Sequence, residues 1–323
     1  HIADLEGKNF SAGMAYRLSV NIEKTLPHNQ IWYTNGSTAN TESPNTSSAF
    51  SASIVSNTYD AEKGCWVMTF DNDITTIGNY AFLYDNITSI IIPESITTIG
   101  NSAFACCKSL KKITIPNSVN EIGEFAFEQC LGMTSFTIPE GVTTIGSNAF
   151  GNNENLRSIT LPSTINSIPE FLSSRCKNLQ EIVVSEANQK YDSREGCNAI
   201  IETATDKLIA GCTSTIIPNS VTSIGNRAFF YSTGLISVDI PDNITSIGNE
   251  CFEGCTNITC VKIGNGVTSI NYQAFYGCSS LSEVYSYATT PPSLGSDAFA
   301  ECKNLKYIYV PIDSRSSYQS KWM

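Results

Sequence analysis

The sequence predicts a mainly β solenoid with short helical turns, and three observations carry that prediction. A unit of 23 residues recurs through most of the 323-residue chain. Within each unit apolar residues alternate with period two, and Pro and Gly return at fixed places.

Each unit opens on Leu or a similar residue. With Leu110 at position 0, Ile113 and Ile115 fall at +3 and +5, Pro116 at +6, Val119 at +9, Ile122 at +12, Gly123 at +13, Ala126 and Phe127 at +16 and +17, and Cys130 at +20. The alternation at +3 and +5 predicts a short strand with one buried face. Pro116 ends that strand, because proline cannot donate the next ladder hydrogen bond. Val119 and Ile122 form the return side of the coil, and Gly123 supplies a turn where a Cβ would be costly. Ala126 and Phe127 then fill the middle. One coil alone buries little, so the stability of the array rests on contacts between stacked neighbours.

The frame starts units at Ile87, Leu110, Met133, Leu156 and Leu179, breaks, and resumes at Cys212, Leu235, Ile258, Leu281 and Leu305. Cys65 fits as an opening unit one residue short, with Met68, Phe70, Ile74, Ile77, Gly78 and Phe82 in their slots. About eleven coils at about 4.8 Å per rung would make an array about 50 Å long.

Residues 65–311 are therefore the solenoid. One unit within residues 185–218 has 33 residues, and its segment "NAIIETATDKLIAG" reads as a β-hairpin inserted near 186–212 and projecting from one edge. Residues 1–64 form an N-terminal cap or the tail of an upstream β domain. There Tyr16, Leu18, Val20 and Ile22 alternate as a half-buried strand, while residues 34–53 are a loop rich in Ser, Thr and Asn. A chain that opens without Met reads as processed or trimmed. Residues 312–323 form a C-terminal cap, an amphipathic turn with Tyr318 and Trp322 four apart.

The repeat resembles the leucine-rich repeats of the BspA-like type, found in surface proteins of Bacteroidetes and relatives. The likeness covers about residues 65–311 and rests on "LKKITIPNSVNEIGEFAFEQC" and "IPNSVTSIGNRAF". The long unit and the ending "YVPIDSRSSYQSKW" are also similar to that family's. Departures fall at Pro169 and Asn271 in Gly slots, at Phe171, two residues early, and at Ser286 in an Ile slot. The resemblance implies a right-handed leucine-rich-repeat solenoid, a secreted or bacterial cell-surface location, adhesin-like binding and no enzyme activity.

Composition excludes several other classes. A net charge of -11 argues against a phosphate-backbone binder, so nucleic acid is not an expected partner. No apolar run reaches the roughly 18 residues of a membrane span, so the chain is not expected to be membrane-embedded. Both histidines, His1 and His28, precede the repeats, so no Ser-His or Cys-His pair can be assembled on the array. Six of the twelve cysteines sit three residues before the next unit opens, at +20 in a 23-residue unit, where Asn153 and Ser232 stand in other units. A slot shared by Cys, Asn and Ser calls for packing and a hydrogen bond to backbone, which reads as buried free thiols and not as disulfides or metal ligands. No cofactor or metal is expected.

Function is left to the surface. The outward positions +2 and +4 carry Ser and Thr through the middle of the array, as at Ser135/Thr137 and Ser158/Thr160, with Ser214/Ile216 next to the long unit. The C-terminal third differs, placing Tyr285, Tyr307 and Tyr309 beside Asp239, Lys262 and Glu283. Aromatics beside charge form the usual composition of a protein-binding hot spot, and also of a platform on which sugar rings stack. The expected partner is a host or matrix protein, with a surface glycan or a spacer role for an upstream domain as the alternatives.

Overall fold

The computed structural model describes residues 26–37, 49–169 and 171–322. The strand expected over residues 16–22 and most of the Ser/Thr-rich loop lie outside the described residues.

Three strands precede the repeats: β1 (Gln30–Thr34), β2 (Ile54–Asp60) and β3 (Cys65–Phe70). Return-side and front-side strands then alternate as β4 (Thr76–Ile77), β5 (Ser89–Ile91), β6 (Thr98–Ile99), β7 (Lys112–Thr114) and β8 (Glu121–Ile122). The alternation continues through β9 (Ser135–Thr137), β10 (Thr144–Ile145) and β11 (Ser158–Leu161), after which a second front strand, β12 (Glu181–Val184), follows with no return strand between. The long unit contributes β13 (Tyr191–Asp192), β14 (Ala199–Glu202) and β15 (Lys207–Gly211). A second run follows with β16 (Ser223–Ile224), β17 (Ser237–Ile240), β18 (Ser246–Ile247) and β19 (Cys260–Ile263). It ends with β20 (Ser269–Ile270), β21 (Glu283–Ser286), β22 (Ser293–Leu294), β23 (Tyr307–Tyr309) and the helix α1 (Arg315–Trp322).

The result is a β solenoid of about ten turns, against the eleven or so that the frame suggested. The difference lies in Cys65–Phe70. The residues fit the repeat, but β3 runs antiparallel between β2 and β1, and β1 takes the rung beside β5, also antiparallel. Apolar spacing specifies which face is buried and says nothing of strand direction, so β1, with Ile31 and Tyr33 buried, could take that place.

Three features hold successive coils together. Front and return strands pair in parallel, residue over residue, as in Ser158 against both Ser135 and Glu181. The Ala-Phe arc makes its own ladder, in which the amides of Phe82, Phe104 and Phe127 donate to the carbonyls of Ala103, Ala126 and Ala149. Inside the arc the phenylalanine rings stack. Phe82, Phe104, Phe127 and Phe150 are spaced 5.1, 5.2 and 5.8 Å apart and lie within 4° of parallel. Phe229, Phe252, Phe275 and Phe299 repeat the arrangement at 4.9 to 5.1 Å.

The recurrent glycine has a different role from the one its turn position suggests. Gly146 does not adopt the left-handed backbone; a Cβ there would lie 2.3 Å from the amide nitrogen of Glu124 in the preceding coil. Close stacking of rungs, and not turn conformation, demands it. The left-handed residues lie instead on either side of Ala-Phe, as at Phe125 and Gln129.

The long unit does not project. Its strands enter the return-side sheet, where β14 pairs with β15 and Lys207–Leu208 of β15 pair in parallel with Ser223–Ile224 of β16. β14 is buried on both faces. Ile200 packs into the core of the first run, Ala199 and Ile201 into the core of the second. A hairpin with apolar residues on both sides is more stable inside the stack than standing off it.

The departures from the frame have local explanations. Leu172 takes the arc slot ahead of Ser173, and Phe171 turns outward, edge-on to Phe230 at 4.8 Å. Ser286, in a slot that usually holds Ile, pairs through its hydroxyl with Tyr318 at 2.6 Å, and Tyr318 in turn donates to the carbonyl of Ala288. On the next turn of α1, Trp322 lies 5.8 Å from Phe299.

Candidate binding face

The front strands of the second run form one four-stranded sheet in the order β17-β19-β21-β23. Parallel register stacks equal positions of successive units, so the six residues singled out by sequence come together on its outer face. Asp239, Lys262, Tyr285 and Tyr309 form one row, and Glu283 and Tyr307 are neighbours in the next.

The tyrosines touch. Tyr285 and Tyr309 are stacked with ring centroids 4.4 Å apart and 12° between planes, and Tyr307 lies 6.0 Å from Tyr309. Tyr307 is 55% and Tyr309 43% exposed. The Tyr285 hydroxyl donates to the Glu283 carboxylate at 3.2 Å. Loss of water around the hydroxyl and then that carboxylate push Tyr285 up to about 12. At the other end of the row Lys262 stands 3.6 Å from Asp239, with both side chains largely in water. Such a pair contributes little to stability and leaves both charges available to a partner.

Tyr287, which the sequence places near the cluster, is 50% exposed just past β21. One part of this face does not follow from the frame. The front ladder is discontinuous among the described residues, between β7 and β9 and between β12 and β17. At the first gap Phe136 fills an inward slot that most other units give to Ile or Val, with its ring tilted against Phe127 and Phe150. At the second, the segment after Cys212 forms no strand, because the Ile216 amide donates to Cys197 of the long unit. Ile216, expected in a continuous front row, instead stands 74% exposed beside a cleft of about 440 Å³.

The cysteines are all free, and only Cys106 and Cys260 are more than marginally exposed. At the +20 slot the thiols of Cys107, Cys130, Cys176, Cys255, Cys278 and Cys302 each donate to the carbonyl of the phenylalanine one coil back. Asn153 does the same with its amide. Among the described residues no cluster of three His, Cys, Asp or Glu side chains could hold a metal ion. His28 lies away from the face, 3.7 Å from Asp73.

A family model for the BspA type leucine-rich repeat region matches residues 75–197 and 207–320, with six copies. The chain belongs to the BspA-type leucine-rich repeat family. Proteins of this BspA-like type are typically surface-associated, leucine-rich repeats typically mediate protein binding, and both are generally non-enzymatic.

Several solved leucine-rich repeat structures are similar to this BspA-type chain. A leucine-rich repeat protein from Eubacterium ventriosum is 20% identical with a TM-score of 0.52, covering 74% of this chain and 79% of that one. A leucine-rich cell surface protein from Faecalibacterium prausnitzii is 25% identical over 76% of this chain and 85% of its own, with a TM-score of 0.41. The pneumococcal vaccine antigen PcpA is 21% identical, with a TM-score of 0.49, over 74% of this chain and 54% of its own. No curated protein matches the BspA-type chain.

Proposed function

We propose that this chain is a non-enzymatic binding protein, secreted or displayed on a bacterial surface, whose C-terminal front face recognises a host or matrix protein. The observation that carries the reading is the Tyr285–Tyr309 stack with exposed Tyr307 beside it, set in a row with Asp239 and Lys262. Rigid aromatic area costs little conformational entropy on binding, and flanking charges of both signs steer a partner and fix its register. The family's association with surfaces supports the location. Among the described residues no helix is long and apolar enough to cross a membrane.

A glycan ligand is the second reading, favoured by the exposed rings of Tyr307 and Tyr309. One panel separates the two: the chain and its Tyr285→Ala/Tyr307→Ala/Tyr309→Ala variant are passed over extracellular-matrix proteins and a glycan array. Salt-sensitive binding to a protein, lost in the variant, is the expected result. Loss of a glycan signal in the variant would replace the protein reading. Equal binding by both chains would remove the face from the mechanism, and binding by neither would leave a spacer role.

A further inference from the structure

The gap between β12 and β17 leaves a strand edge open in the middle of the front face. Residues of a parallel strand direct their backbone groups alternately to its two neighbours. The carbonyls of Ile236 and Ile240 accept from Thr259 and Gly264, which assigns the even residues of β17 to the β19 side. Ser237 and Asp239 therefore point their amides and carbonyls the other way, where among the described residues no strand pairs with them.

The opposite bank is partly taken up by the long unit: the Val184 amide of β12 donates to the Ser193 hydroxyl, beside a second cleft of about 430 Å³ that the charged residues Glu186, Asp192, Arg194 and Glu195 help to line. Beside the open edge of β17 lies the 440 Å³ cleft, with Ile216, Ile217, Leu235, Phe229, Phe252 and Pro241 in its walls. Ile216 and Ile236 are 74% and 60% exposed. The charges flanking the gap are both negative, Glu181 on β12 and Asp239 on β17, and Asp239 meets its one lysine on the far side.

We propose that β17 accepts an extended peptide as an added strand, with alternate apolar side chains in the cleft and a Lys or Arg opposite Asp239. Unpaired backbone groups on an edge recognise another backbone and confer affinity. The pockets for alternate side chains confer specificity. The site is separate from the tyrosine face and shares only Asp239 with it.

The test uses the full chain and a labelled synthetic decapeptide alternating Val with Lys and Ser, followed by fluorescence anisotropy. Saturable binding is expected, together with slowed amide exchange at Ser237 and Asp239. N-methylation of alternate peptide amides should abolish it, and Glu in place of Lys should weaken it about tenfold. Ser237→Pro removes an outward donor and should abolish binding. Asp239→Lys, which leaves the backbone intact, should reverse the preference between the Lys and Glu peptides. Tyr307→Ala/Tyr309→Ala should bind the peptide unchanged, which keeps this site's failure distinguishable from failure of the tyrosine face. The proposal is overturned if the Lys peptide does not saturate or if the methylated peptide binds equally well. Self-association that Ser237→Pro removes, without peptide binding, would assign the edge to a second copy and overturn it too.

Discussion

The thiol of Cys130 donates to the carbonyl oxygen of Phe104, 3.1 Å away in the preceding coil. Asn153 fills the same slot one unit later and donates to Phe127 and Phe150, but its Oδ1 is buried with no partner among the described residues. Cys130→Val keeps the volume and loses the donor, and should cost about 1 kcal/mol. Asn153→Cys should gain about 1 kcal/mol, because the orphan oxygen disappears and Phe150 still accepts from Cys176. Denaturation midpoints of the two variants should move in opposite directions.

Glycine at the coil contact should tolerate nothing larger. Gly146→Ala would place a Cβ 2.3 Å from rigid backbone, whereas Gly151→Ala meets only the Asn148 side chain and local backbone at 3.2 to 3.3 Å. The first substitution should destabilise by about 3 kcal/mol, the upper end of overpacking costs, and the second by much less. Thermal unfolding of the pair checks this.

Thiol accessibility should report the fold directly. Burial pushes Cys176 and Cys255 up to about 12 and Cys130 well above the ordinary thiol range. In the native chain a thiol reagent at neutral pH should label Cys106 and Cys260 first, and all twelve should react after denaturation. Rapid native labelling of the +20 cysteines would contradict the packing.

The tyrosine face should be separable from stability. Tyr309→Ala or Tyr307→Ala should weaken partner binding by about 2 kcal/mol, roughly thirtyfold, and leave the unfolding midpoint nearly unchanged. Lys262→Ala should mainly reduce the salt dependence of association. A loss of folding in either tyrosine variant would mean that the rings cover the core and do not face a partner.

Alkaline titration offers a local probe. Tyr285 is raised from 10 in the unfolded chain to about 12, so its contribution to stability is present below pH 10 and fades as pH rises through about 12. Glu283→Gln should bring its phenolate absorbance midpoint part of the way back, since the loss of water, the larger cause, remains.

Much of this molecule is legible in its sequence. Position-by-position alternation placed Ile113, Ile122 and Phe127 inward and brought Tyr285 and Tyr309 into one outward row, because equal positions in a parallel ladder must stack. The shared occupancy of the +20 slot by Cys and Asn correctly pointed to a backbone hydrogen bond. What escaped depends on competition between segments. Cys65–Phe70 satisfied the register, yet β1 was available to pair beside β5. The open edge of β17 exists because the Ile216 amide found Cys197, a contact no periodicity encodes.

The septum at β14 has a consequence for how this chain can change. Ile200 anchors one block and Ile201 the other, so neither hydrophobic interior continues through the joint. Whole units could be duplicated or deleted on one side without remaking the other. Under tension between its ends the joint, with its missing front rung, is where the rod should yield first. The length of the reach and the position of its weak point are thus set independently.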